Sequence, residues 1–347
     1  MKTERLVRIL FSMANILLFV GCTSVKVLTI EVRDPATKPL PSTVSSITIV
    51  NNAGKQPVDF QNRVILFKER RTDATINADS LGFYACFGLH DALLESGFTS
   101  VNILPQALRS DSLLQPAVPL THTIIDSICK VTNSEALISV DQLLVGSLLD
   151  IEEEAPQGAR TARGTFSTQR LSTFRIAIPA DSSPWQSIQR SDTLYWDSQE
   201  PIILGQLNLN QVLSKLPIGR DAMHEAAYSA GIELARLIYP HWEKTERGIY
   251  TTGNSQMRRA FSLAKKDKWE EAATLWEYIS NTKEGTHKAY ACTNLALYYE
   301  LNDNFLEAIK WQEKAAEALP SAKDEYLNFR TYLNILKQRA TLAAQKK

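Results

Sequence analysis

His224 and Glu225 open like the zinc pattern HExxH, in which two histidines one helical turn apart hold the metal and the glutamate serves as general base. The fifth position is Tyr228, so the second ligand is absent. Ser-x-x-Lys occurs at Ser262–Lys265 and Ser280–Lys283 without the companion motifs of penicillin-binding enzymes, and both are chance matches. Gly54-Lys55 lacks the earlier glycine of a phosphate-cradling loop, and no GxSxG nucleophile elbow occurs. The acids of "DIEEEAP", from Asp150 to Glu154, alternate between faces if they lie on a strand. They therefore read as a solvated strand end, since a working carboxylate pair must converge. His90, His122, His241 and His287 are scattered as surface or capping residues. Trp242, Trp269, Trp276 and Trp311 crowd the last third, where helix packing accounts for them and a sugar-stacking platform is the alternative. No cofactor or metal is implied, and the residues give no reason to expect an enzyme.

Cysteine is the other candidate for chemistry. Cys22 ends an apolar run that starts at Ile9, directly after Lys2, Arg5 and Arg8. A membrane span needs about 20 predominantly apolar residues, and this run is shorter and contains Ser12 and Asn15. A buried core helix leaves the basic start and the small residue at the end unexplained. A secretory signal predicts that order. The stretch "FVGC" further resembles the bacterial lipobox, with Phe19 where leucine is usual. The resemblance implies cleavage after Gly21 and a thioether-linked diacylglycerol plus an N-terminal acyl chain on Cys22. Such an anchor holds essentially permanently, since two lipid signals already suffice for stable binding. Thr23 stands where an inner-membrane retention signal has Asp, and no acidic cluster follows, so the implied address is the periplasmic face of the outer membrane.

Removing residues 1–21 from the 347 leaves 326, enough for two domains. It also removes Lys2, Arg5, Arg8 and Glu4 from the 38 basic and 38 acidic residues, leaving 35 against 37. That balance gives no footprint for nucleic acid; the expected partners are an envelope protein or peptide, with the membrane met through the anchor. Cys86, Cys129 and Cys292 remain in a compartment that favours oxidation. They read as buried, inert thiols, with a Cys86–Cys129 bridge as the alternative.

The elements that must position any site follow from pattern. Residues 22–42 begin strand-like and turn Pro-rich, which reads as a tether. "SITIVNN" is a buried strand closed by a turn. "SLGFYACFGLHDALLESG" is a helix with Asp79 as its cap and Gly97 as its stop. "FTSVNIL" is a second strand, "HTIIDSICKVTN" a second helix, and "EALISVDQLLVGSLLDI" a third strand with the start of a fourth. Antiparallel strands then run to about residue 197, with "PQGARTARG" as a hairpin loop. This order predicts an α/β domain over 43–200, a small mixed sheet with helices on one face. Residues 201–250 read as connecting helices. Within them Met223, Ala226, Ala227, Ala230, Leu234 and Leu237 share a face, and Ala226, Ala230 and Gly231 would admit a close neighbour.

Residues 251–347 carry a repeat. Ala260 and Ala272 in one copy match Ala296 and Ala308 in the next, with Trp269 against Phe305 and Glu271 against Glu307, at an offset of 36. Tyr299, Ala315 and Pro320 complete the second copy. This resembles the tetratricopeptide repeat, a helix–turn–helix unit of 34 residues. The resemblance implies a helical solenoid with a concave groove for a peptide or partner helix, closed by a last helix. Alignment puts Asn254, Met257, Phe261 and Lys265 with Tyr290, Thr293, Leu297 and Glu300 along that groove. Asn294 holds one place of a carboxylate clamp, but Met257 and Phe261 stand where its partners would be, so no clamp is expected. The same residues could equally pack on the helix 221–238 or on the α/β domain.

With "FVGCTS", "VNN", "YPHWEKTERGIY", "KWEEAATLWEYI" and "TNLALYYELNDNFLEAIKW", the mature chain resembles an uncharacterised family of Bacteroidota lipoproteins. The expected fold class is α+β, an amino-terminal α/β domain followed by a tetratricopeptide-like solenoid. The expected role is non-catalytic binding or scaffolding of envelope proteins, with the helical repeats as the interaction surface. A small-molecule or glycan-binding lipoprotein and an enzyme of unfamiliar type are the alternatives.

Overall fold

The computed structural model describes residues 25–68, 70–155, 160–179, 186–203, 207–217, 219–251, 254–319 and 323–344. The fold is α+β and divides into two compact units. One is Ala36–His241; the other joins the described residues before Ala36 to those from Trp242 onward.

In Ala36–His241 a seven-stranded sheet is built around one long strand. β2 (Ser46–Asn51), β3 (Asn62–Leu66), β4 (Arg70–Asp73), β5 (Ser100–Ile103), β6 (Ala136–Glu154), β7 (Thr161–Ala177) and β8 (Gln186–Pro201) compose it. β6 pairs in parallel with β2 through Ala136–Val140 and with β3 through Ser147–Ile151. Its other edge runs antiparallel to β7, and β7 to β8. The expected third and fourth strands are thus one strand of 19 residues. A register shift between Val140 and Gln142 makes Asp141 an extra residue, a β-bulge. The bulge swaps the inward parity, so Ile138 and Val140 are followed on the same core by Leu143 and Val145. The β3–β4 hairpin lies outside the predicted elements. Its turn uses left-handed φ at Phe67 and Lys68, without the Gly or Asn that would have signalled it.

Helices cover both faces of the sheet, not one as expected. The helical connection from β2 to β5 steps to one side of β2, and the one from β5 to β6 steps back past it, so crossovers of one hand put the helices on opposite faces. Accordingly α1 (Leu81–Glu95) packs on Ile47 and Ile49, while α2 (His122–Thr132) packs Ile125 and Cys129 on Val50 and Leu137. The cap position of α1 is Ser80, not Asp79. Gly97 follows the helix at φ +91°, the left-handed stop its position promised.

The segment expected to connect domains belongs to this core. α3 (Leu209–Ser214) lies against β8, and α4 (Arg220–Ile238) packs along α1. A Cβ on Gly88 would fall 1.9 Å from the Tyr228 carbonyl oxygen, and one on Gly231 2.1 Å from that of Ala85, so the two backbones touch. Met223, Ala226, Ala227, Ala230 and Leu234 are buried there. Residues 38–40, expected in the tether, hydrogen-bond the end of α4: Lys38 N donates to Leu237 O (2.8 Å) and Leu40 N to Ile238 O (3.1 Å).

In the other unit, β1 (Val25–Asp34) pairs with β9 (His241–Tyr250). The expected tether and the expected connecting helices thus each supply a strand. Ile30, Val32 and Ile249 turn inward onto α5 (Ser255–Ala264), α6 (Trp269–Thr282), α7 (Thr286–Leu301), α8 (Phe305–Ala318) and α9 (Lys323–Ala344), each helix packing on the next. The repeat is visible in the turns. Asp267 and Asp303 both take left-handed φ, and the matching bonds Lys268 N to Leu263 O and Asn304 N to Tyr299 O close them, both 3.0 Å. Ala260, Ala272, Ala296 and Ala308 are fully buried, as a close helix crossing requires.

Candidate functional site

The eight residues assigned to a concave groove are mostly core. Met257, Tyr290, Thr293, Leu297 and Glu300 are buried, Asn254 and Phe261 are half-buried, and Lys265 is exposed, its ammonium 6.0 Å from the Phe261 ring. Asn254 caps α5, its side chain accepting from Met257 N at 2.8 Å. The surface is occupied by the chain itself. Tyr250 of β9 stacks on Tyr290 with ring centroids 4.0 Å apart. The Asn294 side chain accepts from Tyr250 N (2.9 Å) and donates to Tyr250 O (2.8 Å), pairing with the strand as a neighbouring strand would. Of that face, Tyr290 and the neighbouring Asn294 are therefore covered by β9.

Glu300 sits at the centre of a buried charge cluster. Arg247 of β9 donates to it twice (2.8 and 3.1 Å), Tyr332 Oη donates at 2.6 Å, and Arg339 pairs with it. Burial by itself would raise the Glu300 carboxyl; hydrogen bonds and charge from Arg247, Tyr332 and Arg339 outweigh it and hold the group below its usual range. Arg339 also donates to the Arg33 carbonyl (2.8 Å) and pairs with Asp34, so the cluster joins both strands to the last helix. A fully enclosed carboxylate with every partner engaged is a structural joint.

Two further networks had no sequence signal. Arg170 of β7 is buried and donates to Ala226 O (2.9 Å) while pairing with Asp192 (3.2 Å) and Glu233. Asp141, re-aimed by the bulge, is fully buried. It accepts from Asn52 Nδ2 (2.8 Å) and pairs with Arg175, which also holds the Ala117 carbonyl (2.7 Å). Burial pushes the Asp141 carboxyl up despite Asn52, Ser139 and Arg175. The Asp141 joint pins the loop after β5 to the sheet, and the Arg170 joint ties β7 to α4.

The sequence candidates for chemistry stay apart or are engaged. Ser80 Oγ lies 3.1 Å from His224 Nε2, as in a nucleophile–base pair. The imidazole stacks on Tyr84 at 3.8 Å, and among the described residues no third group orients its other nitrogen. The contact ties α1 to α4. Glu152, Glu153 and Glu154 pair with Lys68, Arg160 and Arg163 at the strand end. Cys86, Cys129 and Cys292 are buried free thiols, and burial pushes Cys86 to about 12 and Cys292 to about 11. No bridge joins Cys86 to Cys129. Trp276 is fully buried, and Trp242 is 57% exposed. Cys22 lies outside the described residues.

What remains open is a cleft over β3, β4, β6 and β7. The cleft, of about 690 Å³, is lined by Gln61, Arg63, Arg71 and Asp73 of the β3–β4 side and by Gly146, Leu148, Ser167 and Gln169 of β6 and β7. The register explains the lining: Arg63 faces Asp73 on one side and Leu148 on the other, and Leu148 faces Ser167, so one row crosses four strands on one face. A Cβ at Gly146 would lie 3.0 Å from Gln61, so glycine keeps the floor low. Among the described residues, neither Arg63 nor Arg71 has an ion pair. A second cleft, of about 720 Å³, lies at the amino-terminal ends of β2 and β5. Its Glu135 carboxylate already accepts from Ser45 N (2.6 Å) and Ser45 Oγ (2.9 Å), which makes it a loop tie.

Fold and geometry thus define a two-unit α+β protein with a polar cleft on an open sheet face. The chain belongs to the family described as Domain of unknown function (DUF8603), whose model matches residues 44–250, more than half of its length. A second model, Domain of unknown function (DUF6340), matches residues 258–338. No curated protein matches. Among solved structures, the chain is similar to the crystal structure of protein XCC0632 from Xanthomonas campestris, of the DUF330 family model. The identity is 11%, covering 60% of this chain and 93% of that one, with a TM-score of 0.22. Among the described residues, no helix is long and apolar enough to cross a membrane.

Proposed function

We propose that this protein is a lipoprotein anchored through Cys22 at the periplasmic face of the outer membrane, where it binds or scaffolds envelope proteins without catalysing a reaction. Its helical unit is a short tetratricopeptide-like solenoid, a reading supported by the paired left-handed turns at Asp267 and Asp303 and the buried alanines of each crossing. The observation that carries the proposal is that β9 covers Tyr290 and Asn294 of the helices while the cleft lined by Arg63, Arg71, Leu148 and Ser167 stays open. Recognition therefore belongs to the α/β unit, at the face that holds Arg63 and Arg71, and its partner presents an acidic segment. Crosslinking in living cells followed by mass spectrometry tests this. An Arg63→Glu, Arg71→Glu variant loses a specific partner that a Phe261→Arg variant keeps; the reverse pattern returns recognition to the helices, and loss in neither refutes both surfaces.

The cleft also favours a second reading, a small polar ligand. Its volume falls within the range of ligand sites, about 300–1,000 Å³. Thermal stabilisation by hydroxyl-rich anions, absent from the Arg63→Glu variant, is the result that would promote it.

A further inference from the structure

Among the described residues, the amino-terminal stretch of the helical unit is strand. β1 begins at Val25, three residues after Cys22, and it is held along its length. Ile30 and Val32 are buried against the helices, Arg339 donates to the Arg33 carbonyl, and a Cβ on Gly248 of β9 would fall 2.9 Å from Val25 Cγ1. Three residues reach at most about 11 Å. An acylated cysteine lies at the edge of the hydrocarbon core, and the headgroup layer beyond that edge is about 5–7 Å thick. The start of β1 is therefore within a few ångströms of the lipid headgroups, closer than the width of one packed element.

We propose that the β1–β9 ribbon docks on the bilayer, with Val27 as its contact. This rests on lipidation of Cys22, as proposed above. Val27 is 62% exposed and shares the outward parity of Thr29 and Glu31, opposite the buried Ile30 and Val32. The outward residues near it are of mixed sign: Lys244 pairs with Glu31 at 3.7 Å, and Glu246 is exposed. The face thus fits a zwitterionic lipid surface through an apolar contact and gives no preference for anionic lipid.

The test uses the full chain in its own membrane, with a photo-crosslinking benzophenone amino acid at position 27 and, as control, at the 84% exposed Val131. A second form carries a flexible Gly/Ser insert of about twelve residues between Ser24 and Val25, which adds roughly 19 Å of root-mean-square reach. Incorporation of a labelled fatty acid reports the anchor independently in each form. The expected result is lipid adducts at position 27 and not at 131, falling about fivefold or more when the insert frees the ribbon. Adducts that are absent, or unchanged by the insert, in acylated protein overturn the docking while leaving the anchor intact. Failure to incorporate fatty acid overturns both, and the label tells the two failures apart.

Discussion

In the unit that closes the chain, a carboxylate sits among arginines; in Ala36–His241, an arginine sits among carboxylates. Glu300 is fully enclosed and engages Arg247, Arg339 and Tyr332, so its donors outweigh burial and hold it ionised. Arg170 is as deeply buried, but its partners Glu233 and Asp192 reach toward solvent, and Glu233 is pushed up by burial and by the neighbouring Asp192 in spite of Arg170. Burying a charge is costly in either sign. What differs is the escape route: a carboxylate can take up a proton or turn to water, whereas two buried guanidinium groups cannot shed their charge.

That contrast orders the effects of breaking each centre. Glu300→Ala leaves Arg247 and Arg339 without their shared partner and costs about 3–5 kcal/mol. Peptide-resolved hydrogen exchange in a urea series checks this: the loss falls on β1, β9 and α5–α9. An equal loss in Ala36–His241 would show that the two units unfold together. Arg170→Met costs less, about 2 kcal/mol, because Glu233 and Asp192 retain access to water. The same experiment places its loss on β7, β8 and α4.

Backbone contact between α1 and α4 sharpens the comparison without touching charge. Gly231→Ala drives a methyl into the Ala85 carbonyl and costs about 1–3 kcal/mol, with the loss confined to Ala36–His241. Acid separates the units by sign. Glu300 has a lowered pKa in the folded chain, so its contribution is present above the ordinary value of 4.5 and is lost as pH falls through the depressed one. Glu233 and Asp141 have raised values, so their ionised forms oppose folding, and that opposition is relieved as pH falls toward the ordinary carboxylate range. Urea midpoints read by unit should therefore diverge on acidification, the helical unit losing more. The smallest effect belongs to the surface: Leu306→Ser, at a residue 72% exposed, shifts either midpoint by less than about 0.5 kcal/mol.

Much of the fold was legible in local pattern. α1, α2 and α4 follow from helical periodicity, and β2 from an apolar β-branched run closed by Asn51-Asn52. The repeat was legible because Ala260, Ala272, Ala296 and Ala308 meet the same steric demand twice. The β3–β4 hairpin was not, since its left-handed turn carries Phe67 and Lys68. The cleft was not, because Arg63, Gly146 and Ser167 come from distant segments that only sheet register aligns. The burial of Met257, Tyr290, Thr293, Leu297 and Glu300 was hidden for a related reason. Helical alignment finds the face of α5 and α7 that points one way, but it does not tell solvent from a strand.

By itself, then, the sequence determined the α+β class, the small residues where helices touch, and the apolar run that ends at Cys22. Each depends on residues close in the chain, whose spacing dictates which side chains share a face. Tertiary structure alone decided that β1 pairs with β9, that this ribbon packs on the helices, and that helices cover both faces of the sheet. Those outcomes join segments far apart in the chain. Their free energy comes from surfaces buried together, and neither segment records that pairing in its own composition.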